Sequence, residues 1–186
     1  MDATVKGNQI KITIDFLKEN FGDNALDKLF VHMDQRIKRI LSRPILDISR
    51  IPETAFSQLI VTAEKVFGSK NYRLSRDIGH YLAHKSVPKF YQIFIKLGDP
   101  FFVIKRSQSF WKTIHNTGTL VFEATGPNST TGQFKDFACP QKEFCSLLLG
   151  YFGAVCEMCG YTPISVVETK CICEGDDFCE FAISWK

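Results

Sequence analysis

Apolar residues recur at three-to-four-residue spacing near the start of the chain: Ile14, Phe16, Leu17 and Phe21, then Leu26, Leu29, Phe30 and Met33 beyond Gly22. This spacing predicts two or three short amphipathic helices, broken at the glycine. After the connector RPILDISRIP, Pro52 suits a first helical turn, and ETAFSQLIVTAEKVFG is predicted as a helix that stops at Gly68. YRLSRDIGHYLAHKS, VPKFYQIFIKLG and DPFFVIKRSQSFWKTIH continue in the same style, so the first 116 residues read as mostly helical.

At Asn116 the texture of the chain changes. TGTLVFEATGP and TGQFKDFAC are short, rich in β-branched and aromatic residues, and bounded by turn formers, which predicts two strands joined by GPNSTTG. A helix is predicted from Pro140 to Gly160, and PISVVETKC and FCEFAISW read as strands around the turn EGDD. A helical half followed by β-β-α-β-β predicts an α+β fold with an antiparallel sheet.

The chain has 186 residues, enough for one full-sized core, which predicts a single domain with a docked helical arm. Its net charge of +3, from 23 basic and 20 acidic residues spread along the chain, argues against a nucleic-acid footprint. No apolar run approaches the roughly 20 residues needed to cross a bilayer, and MDATVKGNQIKI lacks the marks of a signal peptide. A soluble, cytoplasmic protein is expected. In a reducing compartment the seven cysteines, an odd number, suit metal or redox chemistry better than structural disulfides. The 17 phenylalanines suit a densely packed core, and such interiors also line pockets.

Cys171 and Cys179 stand eight residues apart across a turn, where antiparallel strands can bring them face to face, and Glu168 precedes Cys171 by three. A tetrahedral metal site needs a fourth donor from elsewhere. Cys145 and Cys156 lie on one stripe of the 140–160 helix but about 16 Å apart along its axis, so they cannot share an ion. Either Cys145 joins the hairpin, or the pair Cys156 and Cys159 does. Spacing alone favours the second, because CxxC is the commoner half-site.

The run from Cys145 to Cys179, about 35 residues, resembles the end of the 4-vinyl reductase-like domain, above all in the sensory domains of bacterial phenol- and aromatic-responsive transcription activators. The matching residues are Cys145, Gly150 and Tyr151, then Glu168, Thr169 and Cys171, then Gly175, Asp176, Asp177 and Cys179. The resemblance implies that Cys145, Glu168, Cys171 and Cys179 hold a structural zinc, in place of the CxxC arrangement. It further implies a small apolar or aromatic ligand above the metal, with Phe101, Phe102, Phe110, Trp111 and His115 as candidates for the pocket. In the aromatic-sensing relatives a His and a Trp hold the phenol hydroxyl. Trp111 and His115 lie in the broadly corresponding region, while TLVFEATG contains no Trp, a departure from that pattern. Residues 1–50 are then expected as a helical arm for homodimerisation and 51–186 as the ligand-binding domain. A fold-level likeness to the small α/β subunits of vesicle-tethering complexes also implies dimerisation through helices.

The resulting expectation is a sensor domain with zinc, an apolar pocket and a protein partner for output. The alternatives are a redox- or haem-based sensor using spare Cys or His, and an enzyme subunit related to vinyl reductases. The last has little support, since the chain carries no dinucleotide fingerprint and no evident acid–base pair. His80 and His84, four apart on a predicted helix, face one side with a spacing that can bind a metal or face a haem. Cys139 and Cys173 have no assigned role.

Overall fold

The computed structural model of the chain describes residues 2–86 and 99–186. The helix expected over VPKFYQIFIKLG lies outside them. The elements run β1 (Thr4–Lys6), α1 (Gly7–Phe21), α2 (Ala25–Phe30), α3 (Gln35–Leu41), β2 (Arg50–Pro52), α4 (Glu53–Phe67), α5 (Arg73–Ser86), α6 (Pro100–Ile114), β3 (Thr119–Gly126), β4 (Ser129–Lys135), α7 (Lys142–Met158), β5 (Pro163–Lys170) and β6 (Cys179–Trp185). The fold is α+β, a helical half packed with an antiparallel sheet.

Local chemistry sets most boundaries. At the start of α6, Asp99 accepts hydrogen bonds from the backbone N–H groups of Phe101 and Phe102, and Pro100 occupies the first turn. Asp34 caps α3 through the Arg36 N–H. The β3–β4 hairpin turns more tightly than GPNSTTG suggests: β4 begins at Ser129, because Thr130 pairs with Ala124 on one side and Ile183 on the other.

The sheet order is β3-β4-β6-β5, antiparallel throughout. On central β6, Cys179, Phe181, Ile183 and Trp185 are buried while the residues between them are half-buried. α7 covers the buried face, with the Phe152 ring against Phe122 and Phe181 at 5.3 and 5.6 Å. α5 crosses α7 with almost no separation. A Cβ at Gly79 would lie 1.9 Å from the Leu147 carbonyl oxygen, and one at Gly150 1.9 Å from that of Arg76, so only glycine fits at either position.

The helical period gives no hint of the small β1–β2 ribbon, whose three-residue strands pair Val5 with Ile51. Its stability comes from long-range contacts rather than local pattern. The N-terminal helices share one core with the rest: Ile10, Leu17, Leu29 and Leu41 belong to the same buried cluster as Phe56, Phe144 and Trp185. Among the described residues no helix is long and apolar enough to cross a membrane.

Candidate functional sites

The β1–β2 ribbon positions the first site. Arg50 at its edge donates to the carbonyl oxygens of Ile114 and Thr113, and Asn116 is tied to Thr4 in both directions, through its own N–H and its side-chain oxygen. Val5 bridges His115 directly. These bonds hold the end of α6 so that the His115 imidazole points inward, where it is 5 % exposed.

His115 Nδ1 donates to Glu53 Oε2 at 2.9 Å, and Glu53, the first residue of α4, is fully buried. The other carboxylate oxygen, Oε1, is buried without a partner. A buried carboxylate on Nδ1 fixes the tautomer and leaves the Nε2 lone pair free for a metal or ligand. The Trp111 indole stacks on the imidazole at 3.9 Å and 11°, and donates its Nε1–H to the Thr117 carbonyl oxygen. Phe137 and Phe144 meet both rings edge-on.

Beside this stack lies an apolar cavity of about 40 Å³, bounded by Phe56, Phe110, Trp111, His115, Leu148 and Phe152 among others. Phe110, Trp111 and His115, three of the five pocket candidates, line it. Phe101 packs partly buried against the core and Phe102 is exposed, so neither reaches it. Two residues that sequence reasoning passed over, Glu53 and Phe56, complete the arrangement. Glu53 left no local signal beyond a common first-turn acid, 62 positions from its partner.

The second site joins α7 to the terminal hairpin. Cys145 Sγ lies 3.5 Å from Cys179 Sγ and 4.0 Å from Cys171 Sγ, and Glu168 completes a cluster whose ligand atoms all lie within 4.8 Å of one another. The spacing argument for Cys156 and Cys159 is overturned here. Both are buried elsewhere along α7, and burial pushes their thiols up to about 12 and about 11. Within the cluster, the hydrogen bond between the Cys145 and Cys179 sulfurs brings Cys179 down to about 7, while the same bond and burial push Cys145 up. Cys179 is thus the more readily deprotonated of the two sulfurs. Burial takes Cys171 up to about 12.

Lys142 supplies the cation facing this cluster, with Nζ 2.8 Å from Glu168 Oε2 and 2.7 Å from Glu174 Oε1. Burial alone would lower the ammonium's pKa, but the hydrogen bonds to Glu168 and Glu174 outweigh it and hold the charge on. Glu168 Oε1 remains buried without a partner. Gly175 makes the hairpin turn at φ +101, and Asp176 accepts from the Cys171 N–H at 2.7 Å. Cys173 is exposed and Cys139 half-buried, outside the cluster.

No family model matches the chain, and no curated protein does. Solved structures do. One is a variant of an H-NOX protein from K. algicida in the Fe(II) unliganded state, with 16 % identity, a TM-score of 0.76, and coverage of 97 % of this chain and 96 % of that one. An H-NOX protein from S. oneidensis in the Fe(II)NO ligation state has 12 % identity, a TM-score of 0.76, and coverage of 97 % and 99 %. A structure determined to probe heme distortion in the H-NOX family has 14 % identity, a TM-score of 0.72, and coverage of 97 % and 95 %. The chain therefore has the H-NOX fold.

This corrects the 4-vinyl reductase-like assignment and, with it, the structural zinc. The similar solved structures are of H-NOX proteins in Fe(II) and Fe(II)NO states and of one used to probe heme distortion, and the cation seated on Glu168 is the Lys142 ammonium. A short cysteine pattern misled because sulfur spacing along a hairpin records which thiols can meet, without saying what binds them.

Proposed function

We propose that this chain is a haem-based sensor domain of the H-NOX type, with His115 as the residue that would hold the iron. The observation that carries the proposal is the buried His115–Glu53 pair facing an aromatic interior, on a fold whose solved examples are described with Fe(II) and heme. The donor chemistry fits: a buried imidazole with a carboxylate on its far nitrogen could hold an iron, and the carboxylate would raise its basicity. The volume of the cavity does not fit a haem as it stands. About 40 Å³ admits a diatomic or a water, so taking up a macrocycle requires the surrounding phenylalanines to part.

Bound haem would supply a ferrous centre for a small diatomic effector. The protein's own residues would orient His115, exclude water through Phe56, Phe144 and Phe152, and transmit displacement of α6 through the bonds from Arg50 and Asn116 to the N-terminal ribbon. Output to a partner protein and assembly as a homodimer belong to this reading. So does the cytoplasm, where seven reduced thiols are at home.

The test is titration of the purified chain with hemin. A Soret band saturating at equimolar haem, lost in His115→Gly and restored by added imidazole, is the expected result. A folded protein that takes up no haem would overturn the proposal.

One observation favours a second reading, a thiol-based redox sensor: Cys145 and Cys179 sulfurs 3.5 Å apart and both buried. With a peroxide as oxidant, the Cys179 thiolate would attack one oxygen, releasing hydroxide and leaving a sulfenic acid. Cys145 would then displace water from that sulfur to close a disulfide. Loss of two titratable thiols per chain on mild peroxide treatment, reversed by dithiothreitol and absent in Cys145→Ser, supports it.

A further inference from the structure

A second group of metal-binding side chains lies on the outer face of the α5–α7 pair, remote in character from both sites above. His80 and His84 sit one turn apart on α5, their ring centroids 4.7 Å from each other. Glu157, near the end of α7, reaches across, with its Oε2 2.7 Å from His80 Nε2. Donor atoms of all three lie within 4.8 Å of one another, and all three side chains are at least partly open to solvent.

From this arrangement we infer a surface site for a late first-row divalent cation, ligated by His80, His84 and Glu157. Two imidazoles and one carboxylate form a donor set of borderline softness that suits such ions, and the i, i+4 spacing places both imidazoles on one helix face. The ion would take the place of the hydrogen bond between His80 and Glu157.

What distinguishes this group from an ordinary surface pair is the rigidity beneath it. Gly79 adjoins His80, and the glycine-mediated contact between α5 and α7 fixes the helix carrying the histidines against the helix carrying the carboxylate. The donors are therefore held together by backbone packing as well as by the His80–Glu157 hydrogen bond, which lowers the ordering cost of ligation.

Three protein ligands leave coordination positions open. His80 and His84 also border a groove of about 440 Å³, whose other walls are Phe16, Asn20, Asp77 and Tyr81. The open positions would be reachable from that groove, so the site can take water or a small chelating anion as a further ligand.

The experiment uses the full chain in its reduced form with cobalt(II) as the probe, followed by visible and near-ultraviolet absorption and by calorimetry. The site predicts saturable binding with weak visible ligand-field bands and no intense near-ultraviolet sulfur band. His84→Ala and Glu157→Gln should each weaken binding by about tenfold or more, while Cys145→Ser leaves it unchanged. Because His84 and Glu157 are both exposed, these variants are expected to keep wild-type circular dichroism. Cobalt binding that shows only a sulfur band and is lost in Cys145→Ser, binding indifferent to His84→Ala and Glu157→Gln, or no binding at all would each overturn the inference.

Discussion

At the scale of single residues, two buried groups carry separable consequences. Glu53 keeps one carboxylate oxygen on His115 and the other unpartnered, so Glu53→Gln preserves its shape and removes the charge. The expected outcome is a folded protein whose hemin affinity falls by about tenfold, measured by Soret titration; an unchanged affinity would make Glu53 a structural residue only. Cys156 is fully buried, and burial pushes its thiol up to about 12, above the value of about 9 that an exposed thiol has. A group raised in the folded state contributes stability that is intact below the unfolded pKa and is lost as pH rises toward the folded one. The melting temperature should therefore fall as pH is raised from about 9 toward 11, and the fall should be smaller in Cys156→Ala than in the wild type.

Among the elements, α5 and α7 form the contact least tolerant of change. An added methyl at Gly79 or Gly150 meets a backbone carbonyl rather than a movable side chain. Gly150→Ala should lower stability by about 1–3 kcal/mol or more, seen as a drop in denaturant midpoint. It should also weaken cobalt binding at the His80 site, because the two helices would be forced apart. The hairpin contact with α7 has a different character. Lys142→Ala would leave both oxygens of the mostly buried Glu168 without a partner, and should cost about 1–3 kcal/mol in urea unfolding.

For the molecule as a whole, the shared core makes unfolding cooperative. Leu17 and Leu29 from the first helices lie in the same buried cluster as Phe181 and Trp185 from the last strand. Calorimetry should show one transition; two would mean that the N-terminal helices unfold as an independent arm. Deleting residues 1–6 would remove β1, and with it the Val5 bridge to His115 and the partner of Asn116. That truncation should impair haem uptake more than it impairs overall helix content by circular dichroism.

Local chemistry alone accounts for much of what was readable in advance. Helical periodicity placed α1, α4, α5 and α6, glycine and proline punctuation placed most of their ends, and short β-branched and aromatic runs between turn formers marked β3 to β6, because these signals depend on near neighbours in the chain. The convergence of Cys171 and Cys179 was likewise legible, since a hairpin brings its flanks together. The rest depended on contacts between distant segments. Spacing pointed to Cys156 and Cys159, but rotation and docking of α7 decided that Cys145 faces the hairpin. The β1–β2 ribbon, the pairing of Glu53 with His115 and the meeting of Glu157 with His80 join positions 44 to 77 residues apart, by register or contact. No periodicity spans such distances, so only the packing of the core could select them.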